Sequence, residues 1–164
     1  MPMQTVGFSA HDHSYCSTTA MARAAAVCAE RRLQFTPIRR RALEILLEAH
    51  SAIGAYDLLE RFNAEGLGDK PPVAYRALGF LVDNGFAHRI ERLNAFVACS
   101  HPGKAHDPAF MICTDCGAVA EAMTEAKGLD SAAKEAGFQI HSRLIEAEGQ
   151  CPGCRDTAEQ GAKG

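Results

Sequence analysis

Two cysteine pairs constrain this 164-residue chain more than any other feature. Cys113 and Cys116 form the first pair and Cys151 and Cys154 the second, each with two intervening residues. A tetrahedral zinc ion needs four donors, and one C-x-x-C turn presents two of them. Four thiolates leave no open coordination position. The spacing therefore predicts a structural zinc site that couples folding of the C-terminal part to metal binding.

The residues around these cysteines favour tight metal-binding turns. The second pair encloses Pro152 and Gly153, and Gly117 follows the first pair. A redox pair of the thioredoxin type is a weaker interpretation, because the motif occurs twice and neither copy is predicted to open a helix. Buried inert thiols are a further alternative. We interpret the two cysteines outside the pairs, Cys16 and Cys28, as small residues in or near a helix.

A second group of metal-ligand side chains surrounds a Pro- and Gly-bearing connection at 100–108. One thiolate, two imidazoles and one carboxylate suit a tetrahedral zinc ion, whereas ferrous iron usually prefers higher coordination by nitrogen and oxygen. An isolated histidine or glutamate is usually solvated or hydrogen-bonded, so the group has weight only as a set. We expect this mixed set to hold metal conditionally; its members are His88, Cys99, His106 and Glu121.

The charge of the chain is unevenly distributed. Residues 1–98 contain 11 Lys/Arg and 10 Asp/Glu, whereas 99–164 contain 6 and 10, which together give the net charge of −3. Any nucleic-acid-binding face is therefore expected in the first half. No apolar run approaches the roughly 18 residues of a membrane-spanning helix, and residues 1–19 lack a basic start and an apolar signal core. These observations predict a cytoplasmic protein without a membrane partner.

The first half has the pattern of a winged helix-turn-helix domain. Pro37 follows the potential capping residue Thr36 at a predicted helix start, and another predicted helix ends at Asn84 and Gly85. Two short alternating runs then indicate a hairpin. Helices are predicted at 20–33, from 36 onward, at 55–64 and from after 70–72 to 84, and the hairpin strands at 86–92 and 95–99.

The second half is predicted to be a separate α+β unit, which makes the fold class of the chain α+β. Strands are expected at 109–113, 119–121 and 138–147, with a helix at 124–136. The predicted organisation is a DNA-binding domain at 1–99 with a flexible start at 1–19, a hinge at 100–108, a second domain at 109–157 and a frayed tail at 158–164.

Five short motifs form a specific pattern: TPIR at 36–39, AYDLL at 55–59, KPPVAYRAL at 70–78, CTDCG at 113–117 and IEA at 145–147. Together they resemble the ferric uptake regulator family, and most closely its zinc uptake regulator branch, over about residues 23–155. The resemblance implies a homodimeric, zinc-responsive repressor. Its winged helix would bind AT-rich palindromes and its C-terminal α/β domain would dimerise. Such a protein is not an enzyme and takes no small-molecule substrate.

This resemblance implies two zinc ions per chain, a structural ion held by the paired cysteines and a regulatory ion held by the mixed set. A metal held by all four mixed-set residues would bridge the hinge. The iron and peroxide branches carry further histidines, but Arg143 occupies the expected late position here. That difference disfavours a third metal site and iron sensing. We interpret His101 and His141 as ordinary polar residues.

The predicted recognition helix carries Tyr75 and Arg76 near its start. Arginine can pair bidentately with guanine O6 and N7, and tyrosine offers a ring to a thymine methyl group. The alternative for Tyr75 is core packing. Arg39 begins a run of three arginines whose natural partners are phosphates, although consecutive helical positions point in different directions. Tyr56 matches a further family position near the DNA.

Three other interpretations stay open at this point. A zinc enzyme could use the mixed set if Glu121 dissociated to admit water, although four protein ligands leave no water position and the zinc deaminase signature is absent. A zinc-ribbon interaction module would contain only the four-cysteine site. A regulator of the same family with another metal specificity would use the same residues.

Overall fold

The computed structural model of the chain describes residues 8, 13–49, 51–104 and 106–161. These ranges form the helices α1 (His13–Glu30), α2 (Pro37–Glu48), α3 (Ala55–Ala64), α4 (Pro71–Asp83), α5 (Lys127–Glu135) and α6 (Pro152–Gly161). The strands are β1 (Ala87–Ile90), β2 (Ala95–Ala98), β3 (Ala109–Cys113), β4 (Val119–Ala122) and β5 (Ile145–Gly149). The predicted α+β class is confirmed. No helix in the described ranges is long and apolar enough to cross a membrane.

Helices α1–α4 and the β1–β2 hairpin form the first half. Pro37 and Pro71 stand in the first turns of α2 and α4, where an N–H would have no partner within the helix. After α4, Gly85 has a φ of +76°, a left-handed conformation that glycine adopts without strain and that turns the chain into the hairpin. The helices share one apolar core; its largest fully buried side chains are Phe62, Phe86, Ile45, Leu58, Leu78 and Leu81.

The second half is built on a three-stranded sheet. Its central strand is β3, which is antiparallel to β4 and parallel to β5, and α5 lies in the crossover between β4 and β5. Phe110 is paired with Glu121 on one side and with Glu146 on the other. Residues directly opposite each other on neighbouring strands point to the same face of a sheet. These three side chains therefore form a row across one face.

The two halves are in direct contact. Ile90 of the hairpin is fully buried in a small cluster with Phe110 and Ile112 of β3. Ser51, between α2 and α3, forms an isolated antiparallel bridge with Ala118. The predicted hinge is therefore one of several links between the halves.

Several boundaries differ from the predicted ones. Residues 13–19 of the predicted flexible start are helical, because α1 begins at His13; the rest of that start, apart from residue 8, lies outside the described residues. β5 begins only at Ile145, later than predicted, and Phe138 and Leu144 before it are exposed. Helix α6 occupies the predicted tail to Gly161, and 162–164 lie outside the described residues. The second cysteine pair thus does open a helix, contrary to the prediction.

Candidate metal centre

The four paired cysteines meet at one end of the sheet. Their sulfurs all lie within 4.8 Å of one another. Cys113 ends β3, Cys116 lies in the β3–β4 turn, and Cys151 and Cys154 lie at the start of α6. The Sγ atoms of Cys116 and Cys151 are 3.8 Å apart. Sulfurs about 2.3 Å from a tetrahedral zinc ion are separated by about 3.8 Å. The cluster therefore fits a closed zinc site.

Backbone amides prepare Cys113 to act as a thiolate. The N–H groups of Cys116 and Cys151 lower the pKa of Cys113 to about 6, and the Cys151 N–H lies 3.3 Å from its sulfur. Contacts with the sulfurs of Cys151 and Cys116 raise the pKa of Cys154, since neighbouring thiolates repel each other. A divalent cation removes this repulsion. Four sulfurs around one point also disfavour a two-cysteine redox pair.

The mixed set also meets at one point, between the two halves. Its four donor atoms all lie within 4.8 Å of one another. The hairpin supplies His88 from β1 and Cys99 just after β2, the connection supplies His106, and β4 supplies Glu121. Cys99 and Glu121 are buried, at 3% and 6% exposure. Both halves therefore build this site jointly.

Main-chain groups orient two of the donors. The Lys104 carbonyl oxygen lies 2.8 Å from His106 Nδ1. A carbonyl can only accept, so Nδ1 carries the proton and Nε2 presents its lone pair to the site. The Ser100 N–H donates to Glu121 Oε2 at 2.8 Å, which leaves Oε1 facing the histidines. These contacts fix the imidazole tautomer and the direction of the carboxylate.

Burial acts on both acidic groups of the set. Burial and the nearby charge of Glu121 raise the pKa of the Cys99 thiol to about 12. The N–H that His101 donates to the sulfur lowers this pKa, but by less than burial raises it. Burial also tends to raise the pKa of Glu121. Contacts with its carboxylate, first those of the His88 imidazole and the Ser100 N–H, outweigh burial and lower this pKa to about 2. Without a cation the thiol keeps its proton, so metal binding must displace that proton.

Distances within the mixed set fit a zinc ion. Tetrahedral ligands at typical zinc distances are separated by about 3.3 Å for two nitrogen or oxygen donors and about 3.6 Å when one donor is sulfur. His88 Nε2 lies 3.4 Å from Glu121 Oε1, and Cys99 Sγ lies 3.6 Å from His106 Nε2. His106 Nε2 and Glu121 Oε1 are closer, at 2.7 Å. With Nδ1 protonated and the imidazole neutral, both atoms are acceptors, and a metal ion between them would bind both.

The imidazole of His88, which is 15% exposed, gives a second indication. Its Nε2 atom has no hydrogen-bond partner among the described residues, because the 3.4 Å contact with Glu121 lacks hydrogen-bond geometry. A buried polar nitrogen without a partner is costly unless a metal or another group binds it. The chemistry and the spacing of the four donors together fit a four-coordinate zinc ion.

The sequence did not indicate the groups that orient these donors. Ser100 and Lys104 contribute main-chain atoms, which residues of almost any type carry. In the sequence, Arg143 only stands where a further ligand of the iron and peroxide branches is expected. In the structure its guanidinium binds Asp107 of the connection at 3.0 Å and Asp130 of α5 at 2.9 Å. It therefore links the connection to the second half by charge.

The residues predicted to contact DNA lie on the helices of the first half. Tyr75 and Arg76 are exposed near the start of α4, and the 50% exposure of Tyr75 rules out core packing within the described chain. Tyr56 is 65% exposed near the start of α3. The guanidinium of Arg39 lies over the Phe80 ring, 3.9 Å from its centroid. This cation–π contact holds the charge in a fixed position.

The three consecutive arginines have different surroundings. Arg41 binds Glu65 at 2.8 Å, Glu48 at 3.0 Å and Glu44 at 3.1 Å. Its charge is therefore neutralised within the first half. Arg40 lies over the Phe35 ring, 4.6 Å from its centroid. Among the described residues, Arg39 and Arg40 form no ion pair, in contrast to Arg41.

Comparison with known proteins places the chain among metal-responsive regulators. No protein-family model matches it. It is 37% identical over 137 residues to the zinc uptake regulation protein of Escherichia coli (strain K12), covering 82% of this chain and 80% of that protein. The structure of a zinc uptake regulator complexed with zinc and DNA has a TM-score of 0.81 at 36% identity, with 87% and 97% of the two chains covered.

A third relative, XcZur, has been solved in two states. Holo XcZur has a TM-score of 0.74 at 37% identity, with 88% of this chain and 99% of that chain covered. Apo XcZur, at the same identity and with 86% and 99% covered, has a TM-score of 0.50. The present arrangement is thus more similar to the holo form than to the apo form. The chain belongs to the family of zinc uptake regulators, the branch of the ferric uptake regulators that its sequence resembles.

Proposed function

We propose that this chain is a zinc-responsive transcriptional repressor that binds AT-rich palindromic operators of zinc-uptake genes as a metal-loaded homodimer. The observation that carries the proposal is the mixed set, whose four donors come from the hairpin, the hinge and the second half. These donors, His88, Cys99, His106 and Glu121, would hold the regulatory zinc. The four paired cysteines would hold the structural zinc, giving two ions per chain.

Donors drawn from both halves couple the metal to the position of the recognition helix. When bound, zinc supplies a link among the four donors. Two of them come from the β1–β2 hairpin, His88 within β1 and Cys99 just after β2, and β1 packs against α4. The direction of α4 relative to the second half is therefore set when the four donors are held together. In a homodimer this orientation would place the two recognition helices about 34–36 Å apart, one turn of the operator.

The hinge allows other orientations when the donors are not held together. Operator affinity is then reduced by the fraction of protein in the binding-competent orientation. We assign residues 1–99 to DNA binding, 100–108 to the hinge and 109–157 to dimerisation. Exposed apolar side chains in the second domain support its assignment to dimerisation. In the single chain they are Met123, Leu129, Phe138 and Leu144. A second copy of the chain would cover them.

We place the protein in the cytoplasm, where an operator would be accessible. Free cysteines suit this compartment, since thiols stay reduced there and remain available as ligands. The prediction that the chain is not an enzyme is confirmed by its membership in a family of regulators. The mixed set agrees, because its four donors fill a tetrahedral shell and leave no position for a catalytic water.

Arg76→Ala is expected to weaken binding of the zinc-loaded protein to its operator. A bidentate arginine–guanine pair contributes about 1–3 kcal/mol of discrimination, so the dissociation constant should rise about 5- to 150-fold. Zinc content should stay unchanged, because Arg76 lies outside both donor sets. Fluorescence anisotropy with labelled operator measures the effect.

Arg155→Ala is the charge-matched control for this variant. Arg155 is exposed on α6, beside the paired cysteines and in the half of the chain that is not assigned to DNA binding. Its loss should change operator affinity less than twofold at the same salt concentration, since it would remove only general positive charge. Equal losses in the two variants would contradict a base contact by Arg76.

The proposed function is tested by measuring operator binding across buffered free zinc. The operator is first selected from a random duplex library by the zinc-loaded dimer, and the titration is run at fixed salt with iron and manganese as competitors. We expect a palindromic duplex whose affinity rises as zinc fills the mixed set. Binding that is independent of zinc, or equally well supported by iron or manganese, would contradict the proposal.

A further inference from the structure

The tip of the hairpin contacts the second half through one carboxylate. Glu146 Oε1 accepts the N–H of Glu91 at 2.6 Å, and Glu146 Oε2 accepts the N–H of Arg92 at 3.1 Å. A carboxylate that binds two successive amides makes charge-assisted hydrogen bonds with a defined direction. The main chain of one half is therefore held by a single side chain of the other.

Glu146 lies in a row with the regulatory site. Phe110 pairs with Glu121 across β4 and with Glu146 across β5, so the two carboxylates lie on either side of it on the same face of the sheet. At about 4.8 Å between neighbouring strands, their backbones are about 10 Å apart. Glu121 faces the imidazole of His88 at one edge of the sheet, Phe110 packs with Ile90 in the middle, and Glu146 binds the hairpin turn at the other edge.

A neighbouring contact between the halves joins two exposed side chains. Arg92 binds Glu148 Oε2 at 2.7 Å, but the two side chains are 54% and 42% exposed. Exposed ion pairs contribute little because water and salt screen them. Glu148 therefore offers a comparison residue on the same strand, with the same charge and the same partner segment.

We propose that Glu146 is a positioning residue that holds the hairpin in its operator-binding orientation independently of metal. This inference rests on the proposed function. None of the three groups in the contact is a member of either donor set. The contact can therefore form with the mixed set empty, and in this proposal it raises the fraction of protein in which the four mixed-set donors already lie together. Zinc and operator then both bind a more populated orientation.

Glu146→Gln, with Glu148→Gln as the matched control, tests the proposal. Glutamine keeps the size of the side chain, but its NH2 group cannot accept an amide N–H. We expect Glu146→Gln to lower zinc affinity of the mixed set about 5- to 20-fold in a chelator competition without DNA, whereas Glu148→Gln stays within about twofold. The zinc held by the paired cysteines should remain in both variants. A general loss of stability would not lower zinc affinity at the mixed set while leaving the four-cysteine site occupied.

Amide hydrogen exchange in the wild-type protein gives a second readout that needs no variant to fold. With zinc only in the four-cysteine site, the N–H groups of Glu91 and Arg92 should exchange at least tenfold more slowly than amides of an unstructured chain. Exchange at the unstructured rate would overturn the proposal, as would equal zinc affinity in the two glutamine variants. Zinc-independent operator binding by the wild-type protein would instead contradict the proposed function.

Discussion

Cys113→Ala is expected to remove the structural zinc and unfold the second half of the chain. The four sulfurs join the end of β3, the β3–β4 turn and the start of α6. Structural zinc contributes about 10–16 kcal/mol in zinc-finger peptides, which is as large as the whole stability of a typical domain. Zinc content should fall from two ions per chain to one or none. The dimer should dissociate, as measured by mass spectrometry and size-exclusion chromatography.

Cys28→Ala is the matched control for this variant. Cys28 and Cys113 are both 2% exposed, so each substitution removes one buried sulfur. Cys28 packs in the core of the first half and belongs to neither donor set. Its loss should cost on the order of 1 kcal/mol, as for a small buried group, and leave both zinc ions in place. A Cys113→Ala protein that stays dimeric with two zinc ions would contradict the structural role of the cluster.

The sequence predicted which side chains form the two donor sets, because metal chemistry restricts ligands to a few residue types. The paired cysteines carry this information in local spacing. The four residues of the mixed set are far apart in the sequence, so their spacing carries less information about a metal site. The resemblance and their placement around the connection indicate them. The orienting groups could not be predicted in this way. The Ser100 N–H and the Lys104 carbonyl take part as main-chain atoms, and their position depends on the folded connection.

Long-range contacts were also beyond the reach of sequence patterns. Glu146 was noted only as part of a family motif, since a glutamate on an alternating strand usually faces water. Its amide partners lie 54 and 55 residues away. The strand predicted at 138–147 was too long for a related reason. Phe138 and Leu144 have the spacing of strand residues but are exposed, which suits a surface covered by a second copy of the chain.

Helix α6 did have a local signal. Pro152 stands at its first position, where proline is favoured, but the C-P-G-C sequence was interpreted only as a turn. A metal-binding turn and a helix start are compatible here, because Cys151 precedes the helix and Cys154 lies in its first turn. The competing interpretation of the glycine and proline as turn residues therefore gave the wrong boundary.

Cys99→Ser and His88→Ala are each expected to abolish zinc-dependent operator binding while keeping the structural zinc. Serine approximates the shape of the thiol but does not ionise to a ligand at neutral pH, and alanine removes the imidazole from the hairpin side of the site. Coupling between two sites typically changes affinity about 5- to 150-fold, so operator affinity at saturating zinc should fall by this factor. His141→Ala is the control, since His141 is exposed and outside both sets.

The same coupling must operate in the opposite direction. If zinc tightens operator binding by a given factor, operator DNA tightens zinc binding at the mixed set by that factor in the wild-type protein. A chelator competition with and without operator measures this, and the four-cysteine site provides an internal reference that should not respond. Unchanged zinc-dependent binding in Cys99→Ser and His88→Ala would show that these donors do not form the regulatory site. A wild-type protein without the reciprocal effect would show that the metal stabilises the fold without controlling the orientation of α4.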